Sequence, residues 1–327
     1  MPICSRIIGL GSYVPEKVLT NYDLEKMVDT SHKWIFDRTG ICERRIASED
    51  EATSDLAFYA SQMAIKEAGI KPEDLDFIIV ATVTPDMMFP SSACLVQQKL
   101  GVQGVFAFDI SAACSGFIYA LSVADQYIRS GMYRTGLVIG ADIFSKVVDW
   151  TDRNTCVLFG DGAGAAVLQA DSGDRGILST HLRSDGTLWD LLYVPGGGSR
   201  NPPSEAMLSN RLQYIKMRGN ETFKVAVNSM SEVIKEALKC NGLLPDDIKL
   251  FIPHQANLRI IQAISKKLDI PIEMFKINLD IYGNTSAASV PIALYEAVRD
   301  GRVKEGEYIL LGAFGAGLTW GAALIKW

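Results

Sequence analysis

Two kinds of apolar pattern alternate along this chain. Short uninterrupted runs such as Val105-Phe-Ala-Phe108, Phe77-Ile-Ile79, Leu137-Val-Ile-Gly-Ala141, Leu250-Phe-Ile252 and Ile309-Leu-Leu-Gly-Ala313 predict strands buried on both faces. Between them lie stretches with apolar residues three or four positions apart. Phe117, Ala120, Leu121, Ala124, Tyr127 and Ile128 form one such helical face until Gly131 supplies a stop, and Ile260, Ile264 and Leu268 form another. Helices alternating with short apolar strands predict an α/β fold with mixed, mainly parallel sheets whose faces are covered by helices.

The pattern repeats at an offset of about 170 to 175 residues. Ile65-Lys-Glu-Ala68, Gly69, Pro72, Asp74-Leu75 and Phe77-Ile-Ile79 match Ile234-Lys-Glu-Ala237, Gly242, Pro245, Asp247-Ile248 and Leu250-Phe-Ile252. Ser111-Ala-Ala-Cys114 then matches Ser286-Ala-Ala-Ser289, and Arg129-Ser-Gly131 matches Arg299-Asp-Gly301, each pair followed by an apolar strand. Chance similarity between two α/β stretches is the competing explanation. The common order of turns, caps and strands favours duplication, with an N-terminal half over 1–172 and a C-terminal half over 173–327 packed as a pseudo-dimer. Segments 15–60 and 171–230 find no counterpart. They are rich in charge, glycine and aromatic residues, as binding insertions often are.

With 327 residues and 48% hydrophobic content, the chain can bury two sizeable cores. Six cysteines without paired spacing and the lack of a basic-then-apolar leader read as a reduced, cytoplasmic protein. No apolar run approaches the ~20 residues that cross a bilayer. The net charge of −6 argues against nucleic acid as the main ligand, so an acidic partner would have to meet a local basic patch.

Candidate chemistry begins at Cys114, in Asp109-Ile-Ser-Ala-Ala-Cys-Ser-Gly-Phe117, between a strand and a helix. A cysteine opening a helix meets unpaired N–H groups and the positive end of the macrodipole, which favour a thiolate and lower a pKa ordinarily about 8.5. The alternative is a small buried hydrophobe. Its repeat counterpart is Ser289, so the scaffold alone tolerates a hydroxyl there and the sulfur looks chosen for chemistry. Of the three histidines, His254 ends a strong strand, where ligand sites of α/β sheets lie, whereas His181 reads as an ordinary strand residue and His32 as part of a polar loop or helix. Asn284, in Tyr282-Gly-Asn-Thr-Ser286, is either a third polar group or a turn and cap asparagine. Gly312-Ala-Phe-Gly-Ala-Gly-Leu-Thr-Trp-Gly321 exposes backbone that can donate an N–H to an oxyanion.

Cys114, His254, Asn284 and this glycine loop together resemble the thiolase-fold condensing enzymes, and within them the β-ketoacyl-acyl-carrier-protein synthase III family. The likeness runs end to end through Trp34-Ile-x-x-Arg38-Thr-Gly40-Ile, Phe159-Gly-Asp-Gly-Ala-Gly164, His254-Gln-Ala-Asn-x-Arg259, Gly283-Asn-Thr-Ser and Gly-Leu-Thr-Trp-Gly321. The resemblance implies a five-layer α-β-α-β-α fold and an acyltransferase that condenses a starter acyl-CoA with malonyl-acyl-carrier protein. It implies no cofactor, acyl-CoA being a substrate. Cys114 would carry the acyl group, the N–H groups of Cys114 and Ala316 would hold the oxyanion, and His254 and Asn284 would donate to the enolate left by decarboxylation. Trp34, Arg38, Arg153, Phe223 and Asn257 would bind CoA, and Lys224, Arg259, Lys266 and Lys267 would form the carrier-protein patch. Phe89 would close the acyl pocket of a homodimeric partner. No nucleic acid or membrane partner is implied.

Two departures stand out. Ala316 replaces the middle of three glycines common in relatives, which backbone donation tolerates if its φ is negative, and Asn154 follows Arg153 where a glycine is frequent. Gly160-Asp-Gly-Ala-Gly164 and Gly9-Leu-Gly11 do not make nucleotide loops, since the first runs into an apolar strand and the second meets Pro15 without a third glycine. A Cys-His-Asn thioester hydrolase, a starter enzyme of a polyketide or quinolone pathway and a non-catalytic carrier-binding module are the rival readings. Starter chain length is not legible.

Overall fold

The computed structural model describes residues 3–327. Its first sheet takes strands β1 (Cys4–Tyr13), β2 (Phe77–Ala81), β3 (Phe106–Ile110), β4 (Thr135–Ile143) and β5 (Asp161–Asp171) in the order β1-β5-β4-β2-β3. The second takes β6 (Gly176–Ser184), β7 (Ile248–Pro253), β8 (Tyr308–Gly315) and β9 (Thr319–Lys326), in the order β6-β9-β8-β7. The two orders are the same once chain positions are matched, and an isolated parallel bridge from Phe251 to Phe275 stands where a strand corresponding to β3 would run. Internal duplication therefore extends to topology. It also reaches β6, which answers to β1, so the stretch without a counterpart begins after Ser184 and not at 171.

Both sheets are mixed. Pairings β2–β3, β2–β4 and β7–β8 are parallel, and β1–β5, β4–β5, β8–β9 and β6–β9 are antiparallel. The parallel share is confined to the strands joined by helical crossovers. The other strands return without a helix, as at the tight turn from β8 into β9.

Helices cover every sheet face. Helix α4 (Gly116–Arg129) and α7 (Ser289–Arg299) lie between the sheets, so α4 buries Phe117, Ile118, Ala120, Leu121, Ala124 and Ile128. Period-two alternation apportions the strands: Phe77, Ile79 and Val138 face these central helices, as do Leu250, Ile252, Ile309 and Leu311 from the second sheet. Ile78, Val80, Leu137 and Ile139 face outward onto α2 (Thr53–Ala68) and α3 (Ser92–Leu100). Phe251, Leu310 and Leu324 face α5 (Gly219–Cys240) and α6 (Leu258–Leu268). The result is the expected five layers. The insertions add α1 (His32–Thr39) and short ladders whose apolar residues, among them Leu24, Ile35 and Ile215, pack with Val148, Val157 and Phe159 in a separate cluster.

Among the described residues no helix is long and apolar enough to cross a membrane, and no His, Cys, Asp and Glu group is arranged to hold a metal. All six cysteines are unpaired.

Candidate active site

Residues from both halves meet at the N-terminal turns of the two central helices. Cys114 lies in the 3-10 turn Ala113–Ser115 that leads into α4, and Ser289 begins α7 after the turn Ser286–Ala288. The two turns touch. Ala113 and Ser286 both take positive φ, 45° and 51°, conformations that side chains adopt at some cost.

The Cys114 turn is fixed to the β8–β9 loop. The Ser115 hydroxyl is 2.7 Å from Thr319 Oγ1, which is itself 3.0 Å from the Ala112 carbonyl and 2.9 Å from the Ala316 carbonyl. Gly315 lies so close that a Cβ there would sit 2.6 Å from the Cys114 nitrogen. Ala316 keeps a negative φ, so its side chain is accommodated without backbone strain.

The thiol state differs from expectation. Cys114 is buried, and burial pushes its thiol up to about 12; the nearby Asp142 carboxylate adds to the rise, while the Ser286 hydroxyl and the Cys114 backbone N–H oppose it. Desolvation outweighs the hydrogen bonds from the Ser286 hydroxyl and the backbone of the turn, which favours the thiol over the thiolate. Asp142, in β4, accepts from the hydroxyls and backbone of Thr82 to Thr84 and from the Ala287 N–H at 3.2 Å, tying the Ser286 turn to the first sheet.

His254 sits at the end of β7, held by its N–H to the Gly312 carbonyl at 2.7 Å. Burial alone lowers its pKa to about 3, so the ring is neutral. Its Nδ1 lies 2.6 Å from Ser289 Oγ. Asn284 forms a parallel bridge with Phe159, and its Oδ1 accepts the Ser286 N–H at 2.9 Å. That bond makes Asn284 a turn asparagine and leaves its amide NH₂ as the free, donating end.

Cys114, His254 and Asn284 line one cavity of about 870 Å³. Trp34, Arg38, Arg153, Phe223 and Asn257 line it too, as do Lys224 and Arg259. The Arg38 and Arg153 guanidinium carbons are 4.4 and 5.1 Å from the centre of the Trp34 ring, and Arg153 donates to the Asp29 carbonyl at 2.8 Å. Asn257 caps α6 by accepting the Arg259 N–H and donates to the Arg38 carbonyl at 3.0 Å, so both ends of its amide are occupied. Asn154 also borders the cavity, its side chain turned back onto Asp152. Lys266 and Lys267 are exposed at the far end of α6, outside the cavity lining. Phe89 is also outside it, 82% exposed beside the 78% exposed Met88 in the loop between β2 and α3. His181 and His32 are in a strand and at a helix start, away from the cavity.

Sequence profiles of one family match both halves: 3-oxoacyl-(acyl-carrier-protein) synthase III over residues 108–186, and its C-terminal region over 238–327. A relative from Caldanaerobacter subterraneus subsp. tengcongensis, described as beta-ketoacyl-acyl-carrier-protein synthase III, is 58% identical over 325 residues, covering 99% of this chain and 98% of its own length. The chain belongs to the β-ketoacyl-acyl-carrier-protein synthase III family. A Xanthomonas campestris pv. campestris synthase III of the same description is 55% identical and covers 99% of each chain. The crystal structure of the Aquifex aeolicus synthase III superposes with a TM-score of 0.93 at 53% identity, covering 99% of this chain and 100% of that one. The fold is therefore thiolase-like.

Several site residues were not singled out from sequence as functional. Ser286 enters the sequence reading only as the counterpart of Ser111 and the end of the Gly283-Asn-Thr-Ser motif, and Ser289 only as the counterpart of Cys114. The backbone corrects that match, pairing Ser286 with Ala113, Ala287 with Cys114 and Ser289 with Gly116, because the two loops before the turns differ in length. Asp142, Thr319 and Gly315 carried no local signal beyond the apolar and glycine-rich strands that contain them.

Proposed function

We propose that this chain catalyses the decarboxylative Claisen condensation of a short acyl-CoA, such as acetyl-CoA, with malonyl-acyl-carrier protein, and so initiates type II fatty-acid synthesis. The observation that carries the reading is one cavity holding Cys114, His254 and Asn284 beside Trp34, Arg38 and Arg153. Cys114 sulfur attacks the thioester carbonyl as its proton passes to the departing CoA sulfur, giving acyl-Cys114 and CoA. Cys114 and Ala316 N–H groups hold the tetrahedral oxyanion, an arrangement favoured by the Thr319 clamp. Malonyl-carrier protein then enters and its carboxylate leaves as CO₂. The electron pair becomes an enolate whose oxygen accepts from His254 and Asn284. A neutral His254 and an Asn284 with its NH₂ end free are suited to donation. The enolate carbon attacks the acyl-Cys114 carbonyl, the C–S bond breaks to release β-ketoacyl-carrier protein, and the departing sulfur takes a proton from solvent. The two thioesters supply all the electrons required.

In this reading Trp34, Arg38, Arg153, Phe223 and Asn257 hold CoA, with Arg153 moving off the indole where a nucleobase stacks. Lys224, Arg259, Lys266 and Lys267 meet the acidic carrier protein. The halves 1–172 and 173–327 supply nucleophile and donors respectively. Phe89, 82% exposed, is free to enter a second copy of the chain, which supports a homodimer as the working form in this reading, with the cytoplasm as its location.

Intact mass after mixing with acetyl-CoA tests the chemistry. The expected product is a stable mono-acetylated protein, discharged by malonyl-carrier protein and absent in Cys114→Ala. Steady release of free acetate, with no acetyl-enzyme, would identify a hydrolase instead.

A further inference from the structure

We propose that Ser289 is a positioning residue that fixes His254 as the neutral tautomer with its proton on Nε2. The inference rests on the reading above and deepens it, because an enolate donor needs an N–H directed at the substrate. Ser289 Oγ lies 2.6 Å from His254 Nδ1 and accepts the Gln255 N–H at 3.4 Å. Ser289 is only 2% exposed, so its hydroxyl must find its partners within the protein. A hydroxyl has one proton to give. With the Gln255 N–H already directed at the oxygen, the acceptor found within reach of the Ser289 proton is Nδ1.

The opposite tautomer would leave a buried hydroxyl proton without an acceptor, which is costly. Nδ1 therefore accepts, and Nε2 carries the hydrogen. No described residue hydrogen-bonds Nε2, and His254 borders the cavity. The duplicated turns differ here: their backbones match Ala113 with Ser286 and Gly116 with Ser289, so the second half carries a hydroxyl at the first residue of its central helix, where the first half has a glycine.

The test combines nitrogen NMR with partial reactions. With ¹⁵N-labelled histidine, assigned through His254→Ala, the parent enzyme should show a pyridine-like Nδ1 and a pyrrole-like Nε2 at residue 254. Ser289→Ala should show a mixture of tautomers and lose malonyl-carrier decarboxylation on the order of ten- to a hundredfold, less than the loss for removing an oxyanion donor outright. Its acylation by acetyl-CoA should stay within about twofold of the parent, as for a change that spares the transition state of that step. Ser289→Thr, which keeps the hydroxyl, should restore both tautomer and decarboxylation. A pyrrole-like Nδ1 in the parent, or Ser289→Ala decarboxylating at the parent rate while His254→Ala does not, overturns the role of Ser289 alone. Full decarboxylation by His254→Ala overturns the donor reading beneath it.

Discussion

At Cys114 two opposing effects act on one sulfur. The turn before α4 presents N–H groups to a thiolate, whereas burial and the Asp142 carboxylate favour the thiol, and burial wins. A raised pKa means that the reactive anion is scarce at neutral pH and grows about tenfold per pH unit below the pKa. Alkylation of Cys114 by iodoacetamide in the ligand-free enzyme should therefore climb from pH 7 to pH 10 without levelling, followed by mass spectrometry of the Cys114 peptide. A plateau below pH 8 would restore the low-pKa thiolate. Cys114 was legible as a candidate because a strand, a cysteine and a helical face follow one another in sequence. Its protonation was not, since Asp142 and Ser286 arrive from distant strands and turns. The same holds for His254 and Asn284: strand-end and turn positions marked them, but the bonds that orient them run to Ser289 and to the Ser286 backbone.

Among the elements, the central helices come close enough to the sheets that particular strand positions must be glycine. A Cβ at Gly140 in β4 would lie 2.2 Å from the Ala287 carbonyl oxygen, and one at Gly164 in β5 would lie 2.7 Å from Pro291. These contacts account for the glycines in Leu137-Val-Ile-Gly-Ala141 and in the Gly160–Gly164 run, which the sequence ruled out as a nucleotide loop without supplying another purpose. Backbone cannot yield as a side chain does, so Gly140→Ala should cost on the order of 1–3 kcal/mol, as overpacking does. It should also displace the Ser286–Ala288 turn next to Asn284. The expected outcome is a lower Tm in calorimetry and a larger fall in decarboxylation than in Cys114 acylation. An unchanged melting transition would mean that α7 is not seated as tightly as these distances require. Alternation of apolar runs and helical faces announced the layers and the duplication. It under-reported antiparallel pairing because a strand's period is the same in either direction, and although it placed His181 in a strand it did not match that strand, β6, to β1, because the outer end of β6 is polar.

Over the whole molecule, the proposed reaction asks a protein of net charge −6 to meet an acidic carrier protein. A local cationic surface would resolve this, because beyond ~8 Å charges are largely screened at physiological ionic strength and the distant acidic residues count for little. Lys224 and Arg259 stand at the cavity proposed to take CoA, so changing them is expected to perturb both substrates. Lys266 and Lys267 are different. They are exposed, lie roughly 10 Å further along α6 by the helical rise, and are not part of the cavity wall. A Lys266→Glu/Lys267→Glu double variant should raise KM for malonyl-acyl-carrier protein several-fold, most strongly at low salt, since rim charges act chiefly through association. Acylation by acetyl-CoA should proceed at the parent rate, and condensation with malonyl-CoA, which lacks the carrier, should be unaffected. Equal losses with both malonyl donors would place the defect in the fold of α6, and no loss with either would move the carrier-docking surface away from this helix.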